Sequence, residues 1–310
     1  MKYKVLVTGG AGYIGSVVVE RLLECGHDVV VIDNLRTGNK KAICTPHYIG
    51  SYGNDMWGMA LRQAFENHTF DVVFHLAGET TVTKSVTNPK LYFQNNVVNT
   101  INLLGVMLEY GCKKIIFSSS AAVYGIPESV PIRVGDRTLP ITAYGESKLM
   151  VEKILGWYHK AYDLKYAIFR YFNVAGATKT RGEWHNPETH LIPLIMQVAL
   201  GQKEYLEIYG DGVRDYIHVL DVADAHINVM IDLENEIYNL GRGRGYSVKD
   251  IVELSQEITG VWIPIRLESG RVGDPECLVA SFDFIKTPHS LYSILESAWE
   301  WHKGGGYERN

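Results

Sequence analysis

The chain has 310 residues, of which 46% are hydrophobic and 21% charged, and its formal net charge is −5. This composition is typical of a folded globular protein and excludes a disordered, collagen-like or disulfide-scaffold chain. Because there is no basic run and no stretch of 18 apolar residues, neither a nucleic acid nor a membrane is expected as a partner. The four cysteines form no C-x-x-C pair, so we expect free thiols, no metal site and a cytoplasmic location.

The first part of the chain alternates short apolar strands with helical patterns. The predicted strands are 5–8, 29–33, 72–76, 115–119 and 166–171, and the predicted helices are 15–25, 55–67, 89–110 and 145–162. Nearly all-apolar strands separated by helices indicate a parallel sheet covered on both faces. The order of elements predicts an α/β fold with a doubly wound parallel sheet, the Rossmann type that binds dinucleotides.

The pattern changes after about residue 173. Helices are predicted at 191–200, 221–233, 248–259 and 291–301, with short strands between them. We interpret residues 174–310 as a smaller α/β substrate-binding domain that packs on a cofactor-binding domain of residues 1–173. The chain is expected to return to the first domain near 205–217 and 237–261.

A glycine-rich turn separates the first strand from the first helix. The segment Thr8-Gly9-Gly10-Ala11-Gly12-Tyr13-Ile14-Gly15 contains the pattern G-x-G-x-x-G from Gly10 and G-x-x-G-x-x-G from Gly9. Glycine is needed here because a Cβ would block the tight turn and keep the backbone away from a pyrophosphate. The free N–H groups of the helix N-terminus then attract the phosphates. We therefore expect Gly9, Gly12, Tyr13, Ile14 and Gly15 to contact a dinucleotide.

The ends of the second and fourth strands supply further candidate cofactor contacts. Asp33 and the adjacent Asn34 follow the second strand. A carboxylate at this position accepts the ribose hydroxyls and repels a 2′-phosphate, which favours NAD over NADP, although Arg36 nearby could soften that preference. Leu76, Ala77 and Gly78 place small side chains where the cofactor is expected to pass.

Tyr144 and Lys148 are the candidate acid–base pair. They are four residues apart on a predicted helix, so their side chains lie on the same face. A phenol with a pKa near 10 is too weak an acid to act as a base at neutral pH. An adjacent ammonium and a positively charged nicotinamide both favour the phenolate, and a fall of about three pKa units corresponds to roughly 4 kcal/mol. Without other motifs, the same spacing is also typical of an exposed aromatic–lysine pair with no catalytic role.

Three motifs together carry a resemblance to a known family. They are Thr8–Gly15, the segment Ser118-Ser119-Ser120-Ala121-Ala122-Val123-Tyr124-Gly125, and Tyr144-Gly145-Glu146-Ser147-Lys148. The chain resembles the extended short-chain dehydrogenase/reductases that act on nucleotide sugars, from about residue 4 to about residue 301. The resemblance implies a catalytic triad of Ser120, Tyr144 and Lys148. It adds Asn96, Ser118 and Tyr171 to the NAD contacts, and it implies substrate contacts by Ser120, Tyr144, Asn173, Leu191, Tyr209, Arg214, Arg271 and Asp274.

The reaction implied by the resemblance is NAD-dependent epimerisation at C4 of a UDP-sugar, with UDP-glucose and UDP-galactose as the expected pair. Related dehydratases carry Thr-Asp-Glu where this chain has Ser120-Ala121-Ala122, and alanines cannot supply an acid or a base for elimination. A UDP-N-acetylglucosamine or UDP-glucuronate 4-epimerase is the alternative. Another nucleotide-sugar enzyme of the same family and a non-catalytic NAD-binding protein are further alternatives.

The resemblance also implies a homodimer built from helices 89–110 and 145–162 of each subunit. Two positions depart from the family pattern, and a third does not decide which sugar the pocket accepts. Ser51 replaces an acidic residue near the adenine, and Thr80 replaces a lysine that contacts the cofactor. Leu278, with Cys277 beside it, falls where a side chain of the family controls the size of the sugar pocket.

Overall fold

The computed structural model describes residues 1–50, 56–268, 275–281 and 287–308, and only the backbone of 56–58. Its strands are β1 (Lys4–Thr8), β2 (Asp28–Asp33), β3 (His47–Ile49), β4 (Val72–His75), β5 (Lys114–Ser120), β6 (Lys165–Tyr171), β7 (Asn173–Ala175), β8 (Leu206–Tyr209), β9 (Val213–His218), β10 (Glu236–Leu240), β11 (Gly245–Tyr246), β12 (Ile265–Glu268) and β13 (Cys277–Leu278). Its helices are α1 (Tyr13–Glu24), α2 (Met56–Asn67), α3 (Val82–Thr87), α4 (Pro89–Tyr92), α5 (Asn99–Glu109), α6 (Ala143–Tyr162), α7 (Leu191–Ala199), α8 (Val219–Met230), α9 (Val248–Thr259) and α10 (Leu291–Lys303).

The central sheet has seven parallel strands in the order β10-β6-β5-β4-β1-β2-β3. Each of the five strands predicted for the first part of the chain is present, and the doubly wound fold is confirmed. The chain runs from β1 outward to β3 and then crosses back to β4 on the other side of β1. This reversal opens a crevice at the carboxyl ends of β1 and β4, the place where such folds bind ligands.

Successive residues of the strands pack alternately into two hydrophobic cores, one on each face of the sheet. Val5 and Val7 pack with α1 and α8. Leu6 points to the other face and packs with α2, α5 and α6. Because both faces are covered, the strands are apolar at nearly every position, as the sequence predicted.

The predicted single helix at 89–110 was wrong in one respect. The segment forms α4, then a π-helical stretch over Phe93–Val98, and then α5. The side chain of Asn96 accepts from the backbone N–H of Glu79 and donates to the Glu79 carbonyl. The main-chain carbonyl of Asn96 accepts from Thr100 Oγ1. These bonds compete with a regular α-helical pattern. A local π-bulge of this kind often lies beside a functional site.

The prediction that the helix at 221–233 belongs to the second domain was also wrong. It is α8, which packs against α1 on the central sheet, and β10 joins the edge of that sheet beside β6. The chain therefore returns to the large sheet over residues 219–240. It does so because the apolar face of α8 packs with α1 in the core on one face of that sheet. The expected return near 237–261 agrees with β10 at its start, whereas β8 and α9 lie with the smaller unit, contrary to the return expected near 205–217 and in the rest of 237–261.

The smaller unit packs α7, α9 and α10 around one apolar core. In it β9 pairs with β7, β11 and β13, and β8 pairs with β12. A division of the chain at residue 173 stays a prediction. No helix within the described part of the chain is both long and apolar enough to cross a membrane.

Three histidines are buried in the neutral form. Burial lowers the pKa of His75 and of His218 to about 3 and that of His226 to about 4. His75 lies between Thr8 Oγ1 at 2.7 Å and Thr100 Oγ1 at 2.8 Å. Since Thr100 Oγ1 donates to the Asn96 carbonyl, His75 Nε2 donates to Thr100 and Nδ1 accepts from Thr8. His75, in β4, is therefore hydrogen-bonded to both β1 and α5.

We expect the free energy of unfolding to fall as the pH is lowered from 6.5 to 4. The unfolded chain takes up protons at these imidazoles below pH 6.5, whereas the folded chain does so only at its lower pKa values, so acid favours unfolding. Each such histidine adds about 1.4 kcal/mol per pH unit to the slope within that window. Urea denaturation across the range measures the slope. His75→Asn should reduce it by one proton, and an unchanged slope would contradict the assignment.

Candidate active site

One large cavity, of about 610 Å³, lies at the carboxyl ends of the central strands. Its walls include the glycine turn after β1, the ends of β2 and β4, the end of β5, and the first turns of α6 and α7. The sequence-predicted residues that line it are Gly9, Gly12, Tyr13, Ile14, Gly15, Asp33, Asn34, Leu76, Ala77, Gly78, Ser118, Ser120, Tyr144, Lys148, Tyr171, Asn173, Leu191 and Arg214. Residues that are far apart in the sequence are therefore brought together in one cavity.

The glycine turn leaves no room for side chains. Gly9 has a φ of +74°, and a Cβ there would lie 2.7 Å from the backbone nitrogen of Ala77. A Cβ on Gly15 would lie 2.1 Å from the carbonyl oxygen of Gly9. Gly12 is the N-cap of α1, so the first free N–H groups of that helix face the cavity. The turn thus forms a bare backbone cradle of the kind that binds a diphosphate.

Replacing Gly15 by alanine should destabilise the protein by about 1–3 kcal/mol and weaken dinucleotide binding, because the new methyl group collides with backbone that cannot move aside. Gly156→Ala is the matched control. Gly156 lies within α6, and a Cβ there meets no atom within 4 Å. That variant should be as stable as the parent or more stable by up to about 1 kcal/mol. Urea denaturation and NAD titration of both variants make the comparison, and equal behaviour would refute the steric argument.

Asp33 is held in place by the turn that it faces. Its Oδ2 accepts from the N–H of Ala11 at 2.9 Å and its Oδ1 accepts from the N–H of Leu35 at 2.8 Å. Burial raises its pKa, and these backbone hydrogen bonds oppose the rise. Arg36 pairs with Glu79 across the cavity rim. Its guanidinium is therefore engaged with a carboxylate, which argues against Arg36 as a free binding group for a 2′-phosphate.

Asn96 lies beneath the cavity wall, not in it. A Cβ on Gly78 would be 3.0 Å from its Oδ1, and its Nδ2 donates to Ser147 Oγ at 3.0 Å. Together with its two bonds to the backbone of Glu79, this contact ties the loop after β4 to α6. Asn96 therefore positions cofactor-lining residues, and it does not line the cavity itself.

Tyr144 stands in the first turn of α6, with 9% of its surface exposed. Burial raises the pKa of its phenol, and a hydrogen bond with Ser120 opposes the rise. This direction is opposite to the one predicted from the Tyr–Lys spacing, because Lys148 Nζ lies 5.9 Å from the centre of the Tyr144 ring and donates instead to the carbonyl of Ser118 at 2.8 Å. The phenolate therefore needs positive charge beyond that of Lys148.

Lys148 is buried and ends a chain of hydrogen bonds behind the cavity. Burial lowers its pKa to about 8, against the opposing charge of Glu152. Tyr171 Oη lies 2.9 Å from Ser118 Oγ and 2.8 Å from His226 Nε2. Because neutral His226 donates from Nδ1 to the Val222 carbonyl, its Nε2 accepts from Tyr171, which in turn accepts from Ser118. The side chains of Ser118, Tyr171 and His226 thus hold one fixed set of donors and acceptors, and Lys148 joins them through the main-chain carbonyl of Ser118.

The predicted substrate contacts are only partly brought together. Asn173, Leu191 and Arg214 line the cavity, as does Leu278, the position expected to control sugar size. Tyr209 is 42% exposed on β8 and its Oη donates to Glu207, so it lies outside the cavity wall. The reason is that β8 pairs with β12 at the far side of the smaller unit. The remaining predictions, Arg271, Asp274 and Ser51, lie outside the described residues.

Carboxylates that line the described part of the cavity are Asp33, Glu79 and Glu183, and all three are already bonded. Asp33 accepts from backbone N–H groups, Glu79 pairs with Arg36, and Glu183 contacts histidines. Beside Tyr144 the wall is instead formed by Ala121 and Ala122. Beside Tyr144 the described wall therefore offers no carboxylate, while the Tyr144 phenol, the Ser120 hydroxyl and the Lys148 ammonium all line it.

Comparisons with known proteins agree with this geometry. Residues 5–241 match the model of the family described as NAD dependent epimerase/dehydratase family. A UDP-glucose 4-epimerase of Halalkalibacterium halodurans is 44% identical, over 96% of this chain and 95% of its own. A crystal structure of a UDP-glucose 4-epimerase has a TM-score of 0.93 and 42% identity, covering 99% of this chain and 100% of that chain. A Bifidobacterium longum UDP-glucose 4-epimerase in complex with NAD+ and UDP has a TM-score of 0.91 and 33% identity, covering 97% and 98%. The chain belongs to the NAD dependent epimerase/dehydratase family.

Proposed function

We propose that this protein is an NAD-dependent epimerase that interconverts UDP-glucose and UDP-galactose by inversion at C4. The observation that carries the proposal is the placement of Tyr144, Ser120 and Lys148 on one cavity wall, with Ala121 and Ala122 where a dehydratase needs carboxyl groups. The similar proteins of H. halodurans and B. longum, both named UDP-glucose 4-epimerase, support the same reaction.

The cavity fits NAD at three places. The bare backbone at Gly9 and Gly15 suits the pyrophosphate, and the oriented carboxylate of Asp33 suits the adenosine ribose hydroxyls. Gly78 leaves space beside Lys148, since a Cβ there would lie 3.5 Å from Nζ. When bound, NAD would supply the reversible hydride transfer that inversion at C4 requires. The positive charge of its nicotinamide also supplies what Tyr144 lacks for ionisation.

The chain's own residues handle the proton. Tyr144 Oη, once ionised, accepts the proton of the sugar 4-hydroxyl and later returns it. Ser120 hydrogen-bonds the Tyr144 phenol and is placed to bond the same sugar oxygen. Lys148, fixed by the Ser118 carbonyl, keeps positive charge on the cofactor side of the phenol. No further acid is needed, because epimerisation adds and removes no water.

The sugar nucleotide is expected to bind along the wall formed by β7 and the start of α7. Asn173 and Leu191 border this wall, and Arg214 supplies a guanidinium suited to a diphosphate. A fixed diphosphate leaves the sugar free to turn within the cavity and present its other face. Arg271 and Asp274 stay predicted contacts of the same ligand.

Incubation of the purified protein with UDP-galactose tests the proposal, with formation of UDP-glucose as the expected result. UDP-N-acetylglucosamine and UDP-glucuronate are assayed in parallel, since Leu278 is of intermediate size for the sugar pocket. If the protein converted only UDP-N-acetylglucosamine or only UDP-glucuronate, that sugar nucleotide would be assigned as its substrate instead. Release of NAD on denaturation, with no conversion of any of them, would indicate a non-catalytic NAD-binding protein.

We also propose that two copies associate through α5, α6 and the π-helical segment between α4 and α5. Apolar side chains stand exposed there, namely Val98 (41%), Ile101 (40%), Met150 (39%) and Trp157 (68%). Four exposed apolar side chains on adjoining helices favour a protein interface. Because the two copies would use the same helices, the contact is suited to a symmetric dimer.

Light scattering at micromolar concentration should give the mass of two chains, and Trp157→Glu should give the mass of one. The reason is that a carboxylate in place of the indole would have to lose its hydration inside an apolar contact. Trp262→Glu is the matched control, since Trp262 is 76% exposed on the smaller unit. A parent protein with the mass of one chain would refute the proposal.

A cytoplasmic location is proposed from the chemistry of the cysteines. Cys25 and Cys44 are exposed, and all four cysteines are free. Free exposed thiols suit a reducing compartment.

A further inference from the structure

A second group of reactive side chains lies in the loop between β7 and α7. Glu183, His185, Glu188 and His190 each place one nitrogen or oxygen within 4.8 Å of the corresponding atoms of the others. The spacing E-x-H-x-x-E-x-H gathers all four within residues 183–190. Two imidazoles and two carboxylates are a ligand set that divalent transition metals, zinc in particular, use in proteins.

Most of the nitrogen–oxygen separations in the cluster are close to those of a tetrahedral zinc site, with His185 and His190 each placed beside a different oxygen of Glu188. His185 Nδ1 lies 3.4 Å from Glu183 Oε1 and 3.7 Å from Glu188 Oε2. His190 Nδ1 lies 3.6 Å from Glu188 Oε1 and 2.5 Å from Glu183 Oε1. With metal–ligand bonds of about 2.0–2.2 Å, neighbouring ligand atoms of a tetrahedral zinc site are about 3.3–3.6 Å apart. Three of the four distances are already near this spacing, and the fourth needs to open by about 1 Å.

One ligand atom is buried without a hydrogen bond. His185 Nδ1 is inaccessible to solvent and has no hydrogen-bond partner among the described residues. It faces the two carboxylates, whose side chains are only 8% and 4% exposed. A buried nitrogen without a partner is unfavourable, because the hydrogen bond that it made to water in the unfolded chain is not replaced. Coordination of a cation by this nitrogen would remove that cost.

The charge of the cluster can be balanced in two ways. Two buried carboxylates are neutralised either by two protonated imidazoles or by one divalent cation with both imidazoles neutral. Protonated imidazoles account for the short contact between His190 and Glu183. They leave His185 Nδ1 at 3.4 and 3.7 Å from the two carboxylates, without a well-formed hydrogen bond to either. A divalent cation gives all four side chains a bond.

We propose that Glu183, His185, Glu188 and His190 bind one zinc ion in a closed tetrahedral site. Four protein ligands leave no open position, so the ion stabilises structure and does not react. This inference depends on the loop alone, and it is independent of the proposed reaction.

The ion would fix one wall of the cavity. The loop is already attached to α10, since Trp301 Nε1 donates to the Glu183 carbonyl at 3.1 Å and Trp184 stacks on His302 with ring centres 5.7 Å apart. The cluster lies on the opposite side of the same loop, where Glu183, His185 and His190 line the cavity. His190 is followed directly by Leu191, the first residue of α7. A bound ion would therefore set the position of the start of α7 against the substrate wall.

The test measures zinc directly in untagged protein. Protein prepared without chelator should contain about one equivalent of zinc per chain by elemental analysis. After chelation, titration with Zn²⁺ against a chromophoric competitor should restore one equivalent and raise the midpoint of thermal unfolding. Co²⁺ in place of zinc should give the intense visible absorption of a tetrahedral site.

Two ligand variants and one control decide the outcome. His185→Gln and Glu188→Gln should each lower zinc affinity by more than about tenfold, because each removes a ligand atom. His47→Asn should bind as the parent does, since His47 is exposed and bonds to the carbonyl of Thr45, outside the cluster. Parent protein that binds no zinc, or parent and ligand variants that bind it equally, would overturn the proposal. The measurement on the parent stands even if a variant fails to fold.

Discussion

Replacing Tyr144 by phenylalanine should lower the turnover of UDP-galactose about a thousand-fold while NAD stays bound. The variant removes only the hydroxyl proposed as the acid–base group, and such groups contribute about 10²–10⁴-fold to rates. The ring, which packs edge-on against Tyr92 with centres 6.4 Å apart, is retained. Steady-state rates and the NAD content of the purified variant give the two readouts.

Tyr162→Phe is the control for this substitution. Tyr162 lies on the same helix, α6, but is 49% exposed and outside the cavity. Its loss of a hydroxyl should leave the rate unchanged. A Tyr144→Phe variant that retained the parent rate would show that another group carries the proton.

Arg170→Met should lower the free energy of unfolding by about 3–5 kcal/mol, since it leaves a buried carboxylate without its counter-charge. Arg170 Nη2 lies 2.6 Å from Glu152 Oε2, and the two side chains are 5% and 4% exposed. The Glu152 carboxylate also accepts from Ser119 Oγ and lies one helical turn after Lys148. The pair therefore holds α6 against β5 and β6 directly behind the catalytic wall.

Two further variants separate burial from ion pairing. Arg62→Met breaks the pair between Arg62 and Glu109, whose side chains are 45% and 50% exposed, and should cost far less stability because solvent screens the pair. The double variant Arg170→Met/Glu152→Met removes both charges and should recover much of the stability lost in the single one. Urea denaturation measures all three. A single variant no less stable than Arg62→Met would contradict the expectation.

The sequence was most informative where local chemistry decides the structure. The glycine turn and the apolar strands predicted the central sheet because a Cβ at Gly9 or Gly15 collides with backbone and because strands covered on both faces must be apolar. The Tyr144–Lys148 spacing correctly placed both residues on one cavity wall. The ionisation of Tyr144 could not be predicted from spacing, since it depends on burial and on where the Lys148 ammonium points.

Long-range packing was not accessible in the same way. The helix at Val219–Met230 was predicted in the smaller unit because nothing in its own residues shows which apolar surface it covers. Asn96 was predicted as a cofactor contact, whereas its partners are Glu79 and Ser147, brought close only by folding. The E-x-H-x-x-E-x-H spacing was visible in the sequence, but its side chains meet only because the loop turns back on itself.

The late return of the chain to the large sheet has a consequence for how the molecule can come apart. A fragment that ended at residue 173 would lose α8 and β10, which would leave the edge of β6 unpaired and the apolar side of α1 open to water. The smaller unit, in turn, is built from both sides of that return, since β9 precedes it and its partners β11 and β13 follow it. Neither unit could therefore be cut out as an autonomous piece, and the two are expected to melt in a single cooperative transition.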